Sequence, residues 1–115
     1  MLSIIILNES ELGAQANGAF IASESRRSNS SVVVILEPMQ DPSKASCLAK
    51  KIGFPNAFQG GPDNLQIWVC WKNNVVLEVV SLMSQCVNTK ISFGGCIVLF
   101  SFIYESTILN GRIEF

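Results

Sequence analysis

Two oxygen-bearing side chains near the start of the chain each follow a strongly apolar run. Asn8 follows residues 3–7, and Glu37 follows residues 31–36. Both runs are rich in Ile and Val, which is typical of strands that are covered on both faces. If the two strands are parallel neighbours, their C-terminal ends meet at one edge of the sheet, where α/β proteins build their sites. An amide oxygen and a carboxylate at that edge suit a hard cation such as Mg²⁺.

The same two residues also have a purely structural interpretation. Asn8 can cap a turn, and Glu37, which precedes Pro38, can be a solvated strand end. The residue pattern by itself favours this interpretation. A functional interpretation therefore needs a second line of support.

Several common classes of site are excluded by residue type. The sequence has no histidine, so it contains neither a Ser-His-Asp triad nor a Cys-His pair. Its four cysteines, Cys47, Cys70, Cys86 and Cys96, are widely spaced, which excludes a CxxC-type zinc site. Each cysteine lies in an apolar stretch, where it usually acts as a small buried hydrophobe, and we interpret all of them as reduced thiols of an intracellular protein.

The first half of the chain is predicted to form a parallel βαβ unit followed by a second helix. The first helix is expected over residues 13–28, with Gly18 as an interruption and basic residues near its C-terminal end. The second helix is expected to have Asp41 as its N-cap, Pro42 at its first position and Gly53 as its stop signal. Two covered parallel strands joined by a helix indicate an α/β fold.

The second half is predicted to be an antiparallel meander. Residues 72–74, Lys-Asn-Asn, are expected to form the hairpin turn between its first two strands. Trp68 and Trp71 have an odd spacing, so they should face opposite sides of one strand. The last residues, from Arg112 onward, look like the opening of another helix. The four predicted strands are residues 65–71, 75–81, 85–93 and 96–104.

Length and composition narrow the class of protein further. At 115 residues the chain fits one domain. Its mean hydropathy of +0.37 indicates that some apolar surface expects a partner. A net charge of −1 without a long basic run predicts no electrostatic footprint for nucleic acid. Residues 1–7 do not form a signal peptide, and the longest apolar run, residues 91–104, is too short to span a membrane and is expected to be a buried strand. We therefore expect a nuclear or cytoplasmic protein with no transmembrane segment.

A set of segments spread over most of the chain resembles a known family. Together they resemble the endonuclease/exonuclease/phosphatase domain, and more narrowly the version found in plant LINE-type retrotransposons. The Leu-Glu-Pro-Met segment at residues 36–39, with the helix after it, is the most specific part. The other segments are the strand ending in Asn8 with the following loop and helix, the helix end at residues 51–54, the stretch 67–71, and residues 102–106 with Arg112.

The resemblance implies a fold and an extent. The fold would be an α/β (α+β) sandwich, the N-terminal portion of a DNase I-like four-layer αββα arrangement. Residues 1–115 would form a partial domain whose C-terminal half is missing, because the family's later Asp-x-Asn and Asp-His motifs do not occur in this sequence.

The resemblance also implies roles for three residues. Asn8 matches the asparagine that contacts metal and phosphate, Glu37 the glutamate that binds the metal, and Tyr104 the tyrosine that hydrogen-bonds the scissile phosphate. The implied cofactor is Mg²⁺ or Mn²⁺, and the implied partner is DNA. The family's first motif usually reads Trp-Asn-x-Arg-Gly, whereas residues 7–11 here read Leu-Asn-Glu-Ser-Glu.

The function expected from these residues is that of a remnant. The chain would derive from a Mg²⁺-dependent DNA endonuclease of a LINE-type retroelement and would be inactive alone, because the residues that orient the attacking water are absent. A relative that acts on inositol phosphates or other phosphomonoesters has less support from these segments.

The alternative is a non-enzymatic interaction module that uses an exposed sheet face or edge. Alternate residues within 75–80 and 97–103 are then expected to be apolar, to belong to the inner face of a sheet and to be exposed, which would favour self-association.

Overall fold

The computed structural model describes residues 2–9, 18–36, 38, 42–60, 67–83, 85–103 and 111–114. Within these residues the chain forms two sheets and two α-helices. The elements are β1 Ser3–Asn8, α1 Gly18–Arg27, β2 Val32–Leu36, a 3₁₀ turn Pro42–Lys44, α2 Ala45–Ile52, β3 Asn56–Phe58, β4 Ile67–Trp71, β5 Val76–Met83, β6 Cys86–Phe93, β7 Cys96–Ile103 and β8 Gly111–Glu114.

The predicted parallel pair at the start of the chain is confirmed. β1 and β2 are parallel neighbours, in a register that pairs Ile4 with Val32 and Asn8 with Leu36. Both strands are buried almost throughout, as expected for apolar strands that are covered on two faces.

The predicted crossover helix is confirmed over the described residues Gly18–Arg27, which form α1; residues 10–17, on the other side of Gly18, lie outside the described residues. Gly18 has a close neighbour on the second helix. It lies where α1 meets α2, because a Cβ atom added there would be 3.3 Å from Cβ and Cδ of Lys51. The glycine therefore allows a close approach between the two helices.

The second helix starts later than predicted and ends where predicted. Pro42 belongs to the 3₁₀ turn, α2 begins at Ala45, and Lys44 at the N-cap makes no side-chain cap. A lysine has no acceptor for the first N–H groups of a helix, and a tighter turn is a common substitute. The expected N-cap, Asp41, lies outside the described residues. Gly53 ends the helix with φ 81°, and the N–H of Phe54 donates to the carbonyl of Ala49 at 2.8 Å.

The turn at residues 72–74 is present, but it does not form the predicted hairpin. The N–H of Val75 donates to the carbonyl of Lys72 at 3.2 Å, yet the strands before and after the turn, β4 and β5, belong to different sheets. Two hydrogen bonds hold the turn against the start of β2: Lys72 N–H donates to the carbonyl of Ser31, and the Asn74 amide donates to its hydroxyl. β4 consequently pairs with β2, and the chain crosses to the second sheet.

Two elements of the first sheet were not predicted from the sequence. This sheet has the order β3-β4-β2-β1-β8. The segment from Arg112, expected to open a helix, is instead the strand β8, which is antiparallel to β1 and pairs Ser3 with Glu114. The free edge of β1 supplies backbone partners that a short sequence pattern cannot reveal. β3, of three residues, completes the other edge.

The second sheet contains three of the four strands of the predicted antiparallel meander, in the order β5-β6-β7, whereas β4 belongs to the first sheet. The predicted strands 85–93 and 96–104 correspond to β6 and β7, and Gly94 and Gly95, with φ of 56° and 83°, turn the chain between them. The burial that was expected along this apolar run is wrong. Along β7 the outward side chains are exposed, with Leu99 at 75%. A one-sided antiparallel strand buries only alternate residues, so the continuous apolar run was misleading.

The sheets and helices stack as an α/β sandwich. One apolar cluster, which includes Ile35 and Trp68, lies between the first sheet and the two helices; a second cluster, which includes Leu36 and Val87, lies between the two sheets. Trp71 packs against the second cluster, so Trp68 and Trp71 face opposite sides of β4 as predicted. In the described part of the chain, no helix is long and apolar enough to cross a membrane.

The apolar residues that were expected to be exposed are exposed, but on the other face of the second sheet. Ile97 and Leu99 pair with Ser92 and Lys90 and lie on the outer face. The inner face is covered, because Val87 and Ile91 are fully buried against the first sheet. The two described sheets therefore bury most of the apolar residues that lie between them.

Candidate functional site

Asn8 ends strand β1 at the edge of the first sheet. Its Cα partner across the parallel ladder is Leu36, the residue before Glu37. Ile4 on the same strand belongs to the cluster between the sheets, and the two-residue period of a strand places Asn8 on that face as well. The Asn8 side chain is almost fully buried. Burial of an amide costs free energy unless the amide is hydrogen-bonded. A polar residue at this buried position is therefore less expected than an apolar one.

The other two predicted site residues, Glu37 and Tyr104, lie outside the described residues. The residues just before them, Leu36 and Ile103, line one cleft between the two sheets. Ile6, two residues before Asn8 and on the same face of β1, lines it too. Each predicted site residue therefore comes one or two positions in sequence after a residue that lines this cleft.

The cleft is apolar and has a volume of about 240 Å³. Phe100 and Phe102, whose rings are stacked with centroids 5.9 Å apart, form the wall contributed by β7. Ser101 is the polar residue among those that line it. An apolar wall lowers the local dielectric constant, so charges at its rim interact more strongly than they do in bulk solvent.

Glu9 is a candidate that the sequence analysis did not single out. It follows Asn8 directly, and its side chain is only 5% exposed. Carboxylates are almost never buried in this way unless they are paired or bind a cation. The available signal was a charged residue immediately after a buried strand, but its burial follows from the fold and not from the local sequence.

The residue types at this edge fit a hard divalent cation. Asn8 and Glu9 offer an amide oxygen and carboxylate oxygens, which Mg²⁺ and Mn²⁺ accept as ligands. No group of three or more His, Cys, Asp or Glu side chains occurs among the described residues, so a dedicated site made entirely of protein ligands is not visible there. A cation that keeps several waters, as Mg²⁺ does, requires only one or two such ligands.

Thiol chemistry does not compete with this interpretation at the core cysteine. Cys70 is fully buried in the cluster beneath the helices. Burial raises the pKa of its thiol from 9.0 to about 12, so the reactive thiolate is not populated near neutral pH.

Comparison with known proteins supplies a fold and no family. No protein-family model matches the sequence, and no curated protein matches it either. Among solved structures, the chain is similar to the "Endonuclease domain of TRAS1, a telomere-specific non-LTR retrotransposon", with 12% sequence identity and a TM-score of 0.62. The alignment covers 92% of this chain and 45% of that chain, so the protein spans less than half of the neighbour's length. The expected DNase I-like sandwich is thereby confirmed as the fold, and the chain shares the architecture of part of that endonuclease domain.

Proposed function

We propose that the chain carries the metal-binding and phosphate-binding part of a DNA endonuclease site from a LINE-type retroelement of the plant branch. The observation that carries the proposal is one cleft between the two sheets, whose lining residues come shortly before Asn8, Glu37 and Tyr104 in the sequence. Residues Ile6, Leu36 and Ile103, which precede these three, all line it. The parallel register between Asn8 and Leu36 adds a second, independent constraint. The similarity in fold to a retrotransposon endonuclease domain makes phosphodiester hydrolysis the reaction class to test first.

Each residue has a defined role in this proposal. Glu37 would hold Mg²⁺ or Mn²⁺ through its carboxylate, Asn8 would orient the metal and a phosphate oxygen, and Tyr104 would donate a hydrogen bond to the scissile phosphate. The bound metal would supply charge stabilisation for the phosphate. A separation of more than about 12 Å between Asn8 and Glu37 would contradict the assignment. At that distance the two side chains could not both bind one ion, either directly or through a group that binds it.

Metal binding is the direct test of the site. We expect Mn²⁺, followed by its paramagnetic resonance signal, to bind the wild-type chain and to bind Glu37→Gln much more weakly, because the substitution removes the anionic ligand and keeps its shape. Glu78→Gln is the matched control, since Glu78 is exposed on the second sheet. Equal Mn²⁺ binding by wild type and Glu37→Gln would overturn the proposed site.

Catalysis by this chain alone is expected to be absent. The sequence has no histidine and neither an Asp-x-Asn nor an Asp-His segment, so nothing that resembles the family's water-orienting groups is available. Purified chain with Mg²⁺ or Mn²⁺ should not nick supercoiled plasmid above background. Robust nicking that disappears in Glu37→Gln would show that the chain is catalytically complete.

A second candidate function is a non-enzymatic interaction module, and one observation favours it. Every large hydrophobic side chain that is exposed in the described residues lies on β5 or β7, the two outer strands of the second sheet. β7 contains no charged residue and no proline, and strands of that kind are prone to pair with another chain. The exposed residues are Val76, Val80, Leu82, Met83, Ile97, Leu99 and Ile103.

A further inference from the structure

The helix layer, which consists of α1, the turn at Pro42–Lys44 and α2, carries most of the positive charge of the chain. Five of the eight Lys and Arg residues lie in it, but only one of the nine Asp and Glu residues does. The layer therefore carries +4, while the rest of the chain, with three basic and eight acidic residues, carries −5. The five basic residues are Arg26, Arg27, Lys44, Lys50 and Lys51.

These charges lie on the outer side of the layer, and most of them have no ion pair among the described residues. All five basic side chains are exposed, whereas Ile21, Leu48 and Ile52 on the inner side are buried against the first sheet. Arg27 forms an ion pair with Glu24. The other four have no ion pair within the described residues.

Helix stability explains only part of this arrangement. Arg26 and Lys50 lie in the last turns of their helices, where a cation interacts favourably with the helix dipole. Lys44 lies at the opposite, N-terminal end of α2 and makes no side-chain cap, so the dipole disfavours it. Lys51 also lies in the last turn of α2, and its stem lies across Gly18 of α1.

We propose that the outer surface of the helix layer binds the phosphate backbone of nucleic acid without reading its sequence. Exposed lysine and arginine side chains are the groups that contact phosphates in this mode. The exposed residues between these cations, such as Ser23, Ser46 and Cys47, are small. A nucleic-acid backbone can therefore approach the layer closely. No large hydrophobic side chain is exposed in the described part of this layer, whereas helices that bind membrane surfaces insert such side chains.

This surface is separate from the candidate site. The helices cover one face of the first sheet, and the cleft beside Asn8 opens on the other face. The proposal therefore goes beyond the proposed endonuclease function and does not depend on it, because it requires no metal and no chemical step.

The test is the salt dependence of duplex binding in EDTA, which removes metal and prevents hydrolysis. A fluorescein-labelled duplex of arbitrary sequence is titrated with the full chain, and the dissociation constant is measured by anisotropy between about 50 and 200 mM salt. Replacing Arg26, Lys44 and Lys50 together by Gln should weaken binding about tenfold or more at low salt. The slope of log affinity against log salt should become shallower by about 2 to 3, since each lost phosphate contact contributes about 0.9.

The matched control removes the same amount of charge elsewhere. Lys72, Lys90 and Arg112 are the three basic residues outside the layer, and their combined replacement by Gln should leave the slope close to that of wild type. Far-ultraviolet circular dichroism of both triple variants verifies that each is folded. An equal loss of slope in the two variants, an unchanged slope in the first, or binding of wild type to phosphatidylserine vesicles in preference to the duplex would overturn the proposal.

Discussion

At the scale of single residues, burial decides which side chains are available for chemistry. Asn8 and Glu9 are buried polar groups at the edge of a sheet, and Cys70 is a buried thiol in the middle of an apolar cluster. The same low exposure has opposite consequences. It makes the oxygen atoms at the edge candidates for binding a cation, whereas it suppresses ionisation of the thiol.

The thiol of Cys70 predicts a loss of stability at alkaline pH. Its pKa is 9.0 when unperturbed and about 12 in the folded chain, so the unfolded state releases this proton at a lower pH than the folded state. The resulting stability is fully present below about pH 9 and is lost as pH rises toward 12. We expect the free energy of unfolding, measured in urea, to fall more steeply over this range in wild type than in Cys70→Val. Parallel pH profiles for the two proteins would contradict the prediction.

At the scale of elements, the end of α2 depends on a backbone conformation that favours glycine. Gly53 has φ 81°, and no atom lies within 4 Å of where its Cβ would be. Gly53→Ala should therefore lower the free energy of unfolding by about 1 kcal/mol through backbone strain and not through a clash. Gly53→Asn is the matched control, because asparagine tolerates a positive φ better than alanine and should lose less stability. Urea unfolding followed by circular dichroism distinguishes them, and an equal or larger loss in Gly53→Asn would contradict this account.

The same element shows how far local sequence patterns reach. Three features were predictable from residues that are close in sequence or from complete burial. They are the helix stop at Gly53, the burial of the run that ends at Leu36, and the parallel pairing of β1 with β2. The placement of β4 beside β2 and the strand character of residues 111–114 were not. Both depend on which distant edge is available for pairing, and a pattern read within one segment does not contain that information.

The candidate site divides in the same way. The sequence could nominate Asn8 and Glu37 from their positions after two apolar strands, and it could nominate Tyr104 from the family resemblance. It could not show that Ile6, Leu36 and Ile103 line one cleft, because that fact joins two sheets. The burial of Glu9 was hidden for the same reason.

At the scale of the whole molecule, the two sheets differ in how their outer faces are covered. The helix layer covers the first sheet, while the outer face of the second sheet exposes apolar side chains from β5 and β7. Exposed apolar area of this kind usually marks an interaction surface. β5 has a bulge at residues 79–81 that disturbs its edge, but the pairing of β7 with β6 continues without a shift to Ile103.

Self-association is the expected consequence. Wild-type chain should show a mass above that of a monomer in light scattering and should bind a hydrophobic dye. Leu99→Glu should reduce both, because Leu99 is 75% exposed on β7 and a charge there opposes burial. Cys47→Glu, on the exposed side of α2, should change neither. A monodisperse wild-type monomer with one sharp thermal transition and no dye binding would rule out this use of the surface.

The pairing of Ser3 with Glu114 joins the first strand of the fold to its last. Forming that pair closes a loop of nearly the whole chain, so its entropic cost is met only after the intervening elements have assembled. Joining the two ends by a short linker and opening the chain at Gly94–Gly95, an exposed turn, would make this contact local. Such a circular permutant should keep the same sheets and refold faster than the parent in a stopped-flow measurement, because the step that is last for the parent becomes an early one.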